Sequence, residues 1–192
     1  KLANHAAGVA VGKSGTAIVA PGELLAHFGS TPPKTDWPNI AKECKKWRNA
    51  GQKVAFANGC FDLLHPGHIH LLTEAAKTAD RLVIGLNSDA SVRRLKGNGR
   101  PIQPCETRSA VLAALPIVDA VVVFDQDTPL ELVTALKPDF IVKGREYANQ
   151  KIIGADIVTA HGGKVLLIPT LDGHSTSNLA SKWNRMIGLH AR

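Results

Sequence analysis

Asn58-Gly59-Cys60-Phe61-Asp62-Leu63-Leu64-His65-Pro66-Gly67-His68 places two imidazoles, a carboxylate and two special backbone residues between an apolar run and a stretch with helical spacing. Gly59 permits a tight turn, Pro66 suits a first helical position, and Gly67 lets a ligand approach the main chain. The first amides and the positive end of such a helix then face an anion. His65 and His68, three apart on that first turn, share one side and can both donate to phosphate oxygens. Two other readings compete. His65, His68 and His70 could ligate zinc, but Pro66-Gly67 breaks the helical register and no cysteine or carboxylate is spaced to complete a tetrahedral set. Either histidine could instead be a buried structural residue. His70 lies outside the motif and reads as a solvated helix residue.

The elements that must hold these groups alternate along the chain. Strand candidates are residues 53–58, 81–87, 120–124, 140–144 and 164–170, mostly continuous apolar runs of the kind buried on both faces of a parallel sheet. Helical spacing falls at 67–79, 89–96, 104–115, 128–136, 154–161 and 175–187. This alternation predicts an α/β fold, a doubly wound and mostly parallel five-stranded sheet. Ligands of such sheets bind beyond the carboxyl ends of the strands. Asn58-Gly59, Asn87-Ser88-Asp89, Asp125, Lys143-Gly144-Arg145 and Asp172 to Ser177 stand there, with Asp89 and Thr128 expected as N-caps. A further helix is expected over 36–50, with Pro38 in its first turn, Gly51 at its end, and Ile40, Cys44 and Trp47 on one face.

With 192 residues, 44% hydrophobic and 20% charged, the chain suits one core with an appendage, and it has no apolar run of membrane-spanning length. The opening stretch lacks a signal-peptide core, and the three cysteines Cys44, Cys60 and Cys105 form no CxxC pair, so a cytoplasmic protein is expected. The net charge of +7 is unevenly spread: residues 1–52 carry 7 Lys/Arg against 3 Asp/Glu, and residues 53–192 carry 16 against 13. With scattered aromatics, that gives no stacking platform for bases, and neither a nucleic-acid nor a membrane partner is expected. Ala7 to Ser14 match a loose P-loop pattern, but a helix reads before it and a strand after, the reverse of the working context. The glycine and paired prolines around residues 29–36 read as a linker. Residues 1–35 are therefore assigned to an N-terminal appendage and 36–192 to the main domain.

The motif at 58–68 resembles the HxGH signature of the nucleotidyltransferase superfamily, whose fold is Rossmann-like. The segments LNSDASVRRLKGNGRPI, ETRSAVLAAL, VDAVVVFDQDTP, KPDFIVKGREY, HGGKVLLIP and DGHSTSN resemble, in order, the adenylyltransferase part of the bacterial ADP-heptose synthase family. Residues 1–30 resemble the last helix and strand of a ribokinase-type sugar kinase, without the segment that carries that family's catalytic aspartate. The resemblance implies transfer of an adenylyl group from ATP, with Mg²⁺ and no zinc, to D-glycero-β-D-manno-heptose 1-phosphate. The products would be ADP-heptose, a lipopolysaccharide precursor, and pyrophosphate.

Carried over by motif, His65, His68 and Lys96 would be catalytic, with Lys96 in a loop hinged by Gly97 and Gly99. Asn58, Gly59, Phe61, His65, His68, Lys143, Gly144, Arg145, Ser175 and Thr176 would bind the nucleotide. Asp62, Lys96 and Arg108 would serve the substrate; Asp62 could equally orient the loop or assist the metal, and Arg108 could be a surface arginine. No protein metal ligand is assigned, and a homo-oligomer, dimer or higher, is expected. KGREY and GHSTSN depart from the family's usual text beside the nucleotide pocket, which keeps CTP open. The alternatives are a cytidylyltransferase acting on glycerol 3-phosphate or a similar small phosphate ester, and a nucleotide- or nucleic-acid-binding module without activity.

Overall fold

A computed structural model describes residues 36–169. The kinase-like stretch, the P-loop-like segment, Ser175, Thr176 and the helix expected at 175–187 lie outside the described residues. The apolar runs form β1 (Val54–Gly59), β2 (Arg81–Asn87), β3 (Ala120–Phe124), β4 (Phe140–Gly144) and β5 (Lys164–Ile168). The helices are α1 (Trp37–Asn49), α2 (Pro66–Thr78), α3 (Asp89–Lys96), α4 (Cys105–Ala113), α5 (Leu130–Leu136) and α6 (Ala155–Ala160), with a 3-10 turn at Arg145–Tyr147. Every strand pair is parallel and the order is β3-β2-β1-β4-β5. The doubly wound Rossmann-like expectation holds, with a fully parallel sheet. No helix of the described residues is long and apolar enough to cross a membrane.

Alternation along each strand feeds two cores. Val54 and Phe56 of β1 pack with Ile40 and Cys44 of α1, Leu132, Val133 and Leu136 of α5, and Val158 of α6. Ala55 and Ala57 face the other way, against Leu72 and Ala75 of α2 and Leu112 of α4. Small residues on that face let α2 close on β1, which fixes where the helix start stands. Gly85 of β2 makes room for Phe56: a Cβ there would lie 2.7 Å from the ring.

Carboxylates stitch the amino ends of the strands. Val54 N donates to Asp139 Oδ2 (3.0 Å), Leu82 N to Asp119 Oδ2 (2.8 Å) and Lys53 N to Asp80 Oδ2 (2.8 Å). Helix α1 belongs to this core, because Trp37 Nε1 donates to the Val123 carbonyl (2.6 Å) and Arg48 Nη1 to the Leu136 (2.7 Å) and Lys137 (3.0 Å) carbonyls. The arginine thereby satisfies acceptors that the end of α5 leaves open.

Two caps differ from expectation. Ser88, not Asp89, caps α3 by accepting from Ser91 N (3.0 Å), leaving Asp89 as the first helical residue. Helix α5 starts at Leu130 after Pro129, without a side-chain cap, so Thr128 has no capping role.

The chain winds from β1 outward through β2 to β3, while β4 and β5 lie on the other side of β1. The winding therefore reverses between β1 and β4. Diverging connections open a crevice there at the carboxyl ends, which is where this class of sheet takes its ligand.

Candidate active site

The crevice receives the histidine loop because of how β1 ends. Phe61 takes a left-handed φ of 44°, uncommon for an aromatic residue, and turns the chain back over the sheet. Its buried ring then lies 5.1 Å from that of His68, tilted by 53°. His65 stands extended as the N-cap of α2 and spends no side-chain bond on capping; Pro66 follows as the first helical residue. The amides of His68 (2.9 Å) and Ile69 (3.2 Å) donate to the His65 carbonyl. The two imidazoles stack with centroids 3.8 Å apart at the positive end of a 13-residue helix.

Burial, and then the neighbouring His65, push the His68 pKa down to about 4 against a backbone hydrogen bond with Leu63 that favours the cation. Neutral pH therefore leaves His68 uncharged. The same shift links to folding. Unfolded His68 takes its proton near the usual 6.5, whereas the folded ring does so only near 4, so its contribution is intact above about 6.5 and falls as pH drops toward 4. Urea midpoints measured from pH 7 to 4.5 should decline less steeply in His68→Gln than in the parent. Parallel profiles would show that His68 titrates normally.

Across the crevice, Lys143 at the end of β4 reaches Asn58 at the end of β1, with Nζ 3.4 Å from the Asn58 carbonyl and 5.2 Å from the Tyr147 ring centre. Burial pushes this ammonium down to about 8, opposed by Glu146. Asn58 Oδ1 is buried and has no hydrogen-bond partner among the described residues. A half-buried cation and a buried acceptor oxygen at the reversal point give the strand ends polar capacity that the fold leaves unsaturated. Gly144 is buried at the strand end, and Arg145 is exposed on the 3-10 turn.

The residues expected around the sugar phosphate separate into two kinds. Lys96 is the exposed last residue of α3, followed by Gly97 (φ 87°) and Gly99 (φ 82°), each with open space where a Cβ would stand. Asp62 and Arg108 turn inward. Asp62, 3% exposed, accepts from the amides of Ile102 (2.7 Å) and Gln103 (3.0 Å) and pairs with Arg100 (2.6 Å). Arg108, 2% exposed, is no surface arginine. Its Nε donates to the Gln103 carbonyl (2.9 Å), Nη1 to the Cys60 (2.6 Å) and Asn87 (2.9 Å) carbonyls, and Nη2 to Asp89 Oδ1 (2.6 Å). Four protein acceptors make it a clasp for the ends of β1 and β2 and the loop before α4.

A cavity of about 240 Å³ adjoins this clasp, lined in part by Phe61, Leu64, Gln103 and Val111. Elsewhere on this edge, Ser88 Oγ donates to Asp125, and Arg94 meets Asp127 (2.8 Å) and Asp125 in an exposed network of small energetic weight. His70, with Leu64, His65, Pro66 and Ile69, lines an open groove. No group of three or more His, Cys, Asp or Glu among the described residues could hold a metal ion. Burial holds the Cys60 and Cys105 thiols above their usual pKa, so neither is set up as a thiolate nucleophile. Arg100 had no role in the sequence reading and Asp89 was read only as an N-cap, although the Arg-Pro step after two glycines marks where the loop regains a fixed course.

A cytidylyltransferase-like family model matches residues 56–168, from β1 through β5. The chain belongs to the cytidylyltransferase-like family. It is thereby a nucleotidyltransferase, and the histidine pair at the crevice falls within the matched span. This cytidylyltransferase-like domain is 48% identical over 181 residues to the "Bifunctional protein HldE" of Acidiphilium cryptum, covering 92% of this chain and 37% of that protein. It is 49% identical over 189 residues to the protein of that name from Paramagnetospirillum magneticum, covering 95% and 39%. The chain thus spans under two fifths of these curated relatives. A crystal structure of the lipopolysaccharide core biosynthesis protein from Thermoplasma volcanium GSS1 is similar at a TM-score of 0.53 and 32% identity, covering 64% of this chain and all of that one.

Proposed function

We propose that this domain transfers the adenylyl group of ATP to D-glycero-β-D-manno-heptose 1-phosphate in the cytoplasm, as a homo-oligomer whose catalytic unit begins near residue 36. The observation that carries the reading is the identity of nearly one half, across almost the whole chain, to proteins named HldE. The stacked His65–His68 pair at the strand-order reversal supports it from the side of chemistry.

In this reading a phosphate oxygen of the sugar 1-phosphate attacks the α-phosphorus of ATP. The bond from that phosphorus to the bridging oxygen breaks, and pyrophosphate leaves with the electron pair. No enzyme nucleophile takes part. His65 and His68 donate to the phosphates as charge moves onto the leaving oxygens, and the amides at the start of α2 add their dipoles. Burial brings the Lys143 pKa down to about 8, and the incoming anion favours its ammonium form. Lys96 approaches from the glycine-hinged loop, and Asn58 offers its buried acceptor to the nucleoside. Ser175 and Thr176 are proposed to complete the phosphate shell. A divalent cation, Mg²⁺, would neutralise the triphosphate; the described carboxylates form no cage for it, so it would travel with ATP.

Pyrophosphate release measured with ATP or CTP, each paired with heptose 1-phosphate or glycerol 3-phosphate, tests the assignment. ATP with the heptose phosphate should be fastest by at least about a hundredfold, the scale set when a site's polar groups are left unpaired by the wrong partner. Faster release from CTP with glycerol 3-phosphate would favour the cytidylyltransferase alternative.

A further inference from the structure

The loop between α3 and α4 has two mechanically different halves. Residues 96–99 are exposed and carry both positive-φ glycines, with no atom within 4 Å of either missing Cβ. The half from Arg100 to Gln103 is fastened to the histidine loop. Arg100 Nε lies 2.6 Å from Asp62 Oδ2, with the Asp62 side chain 1% exposed, and the other carboxylate oxygen holds the Ile102 and Gln103 amides. Arg108 closes the far end through the Gln103 carbonyl. Neither the histidine motif nor the lysine accounts for Arg100.

We propose that Arg100 is a positioning residue: its ion pair with Asp62 fixes the point from which the Lys96–Gly99 segment swings, and so sets how Lys96 meets a phosphate held at His65 and His68. The inference rests on the adenylyl-transfer reading of Lys96. Three residues lie between Lys96 and the anchor, so over four Cα–Cα steps its Cα stays within roughly 14 Å of that of Arg100. On its other side Lys96 is held by α3, whose last turn closes through Gly97 N on the Arg93 carbonyl (2.9 Å), and Asp62 keeps Ile102 and Gln103 by their amides, so losing the anchor loosens the stretch between Gly97 and Pro101. The loss is one of orientation, because a side chain meeting developing charge must be held in place. Arginine suits the post because its guanidinium keeps its charge when buried beside a carboxylate.

The test is a double-mutant cycle of Arg100→Met with Lys96→Ala in the full chain, read by kcat and the KM for ATP, together with amide hydrogen exchange of Ile102 and Gln103. Arg100→Met alone should lower kcat about tenfold with the KM for ATP within about twofold, and should speed exchange at both amides. Arg100→Lys should restore most of the rate, since an ammonium still meets Asp62. In the Lys96→Ala background, Arg100→Met should cost less than about twofold. Multiplying losses would mean Arg100 acts independently of Lys96, and unchanged amide exchange would mean it pins nothing; either overturns the proposal. If Lys96→Ala turns over like the parent, the role given to Lys96 fails, while the exchange data still decide whether the anchor exists. Should Arg100→Met not fold, Arg100→Gln is read in the same cycle.

Discussion

His68→Ala lowers kcat by at least about a hundredfold while the urea midpoint at pH 7.5 stays within experimental scatter of the parent. The rate loss follows from position. His68 sits at the start of α2, stacked on His65 and backed by Phe61, so its ring cannot relax into another role. Removing one preorganised donor from developing phosphate charge costs on the order of 10² to 10³ in rate. Stability changes little at that pH for separate reasons. Alanine favours a helix, and the ring is uncharged well above a pKa of about 4, so no ion pair is lost. Single-turnover release of pyrophosphate at saturating ATP isolates the chemical step from product release. Near-parent turnover in that assay would remove His68 from the reacting phosphates and leave it a packing residue.

Most of the fold was legible because its signals are local. Each strand is a continuous apolar run bounded by turn residues, and the observed limits differ from the expected ones by at most two residues. The histidine pair was legible for the same reason, since Pro66-Gly67 after a strand marks a helix start wherever the chain goes next. The capping of α3 was misplaced by one residue, since Ser88 and Asp89 are both good cap formers and only backbone geometry separates them.

The inward contacts of Arg108, Asp62 and Arg100 were not legible, although a loop-orienting part was one reading of Asp62. Each looks polar and solvated in its own segment. What buries them is the convergence of three loops: the one after β1, the end of β2, and the connection from α3 to α4. That meeting is a property of the strand order, which no window of sequence contains. The consequence reaches the site's chemistry. Asp62 and Arg108 spend hydrogen bonds on the frame, while Asn58 Oδ1 at the end of β1 has no partner among the described residues.

The frame has its own expected result. Arg108→Met should destabilise the protein by about 3 kcal/mol or more, on the scale for breaking a buried charged pair, and it strands three carbonyls besides. Methionine fills much of the volume, so the loss reports the hydrogen bonds rather than a cavity. Arg108→Lys should recover little of it. One ammonium on a flexible stem cannot reach the Gln103, Cys60 and Asn87 carbonyls and the Asp89 carboxylate together, whereas the planar guanidinium fork does. Equilibrium urea unfolding of the three proteins at pH 7.5 measures this directly. A phosphate-holding arginine predicts the opposite pattern: unchanged midpoints, a raised KM for the sugar phosphate, and partial rescue by lysine. The clasp predicts that stability falls first. Any KM change should then appear for ATP and sugar phosphate alike, because the loops that carry both sites lose the same anchor.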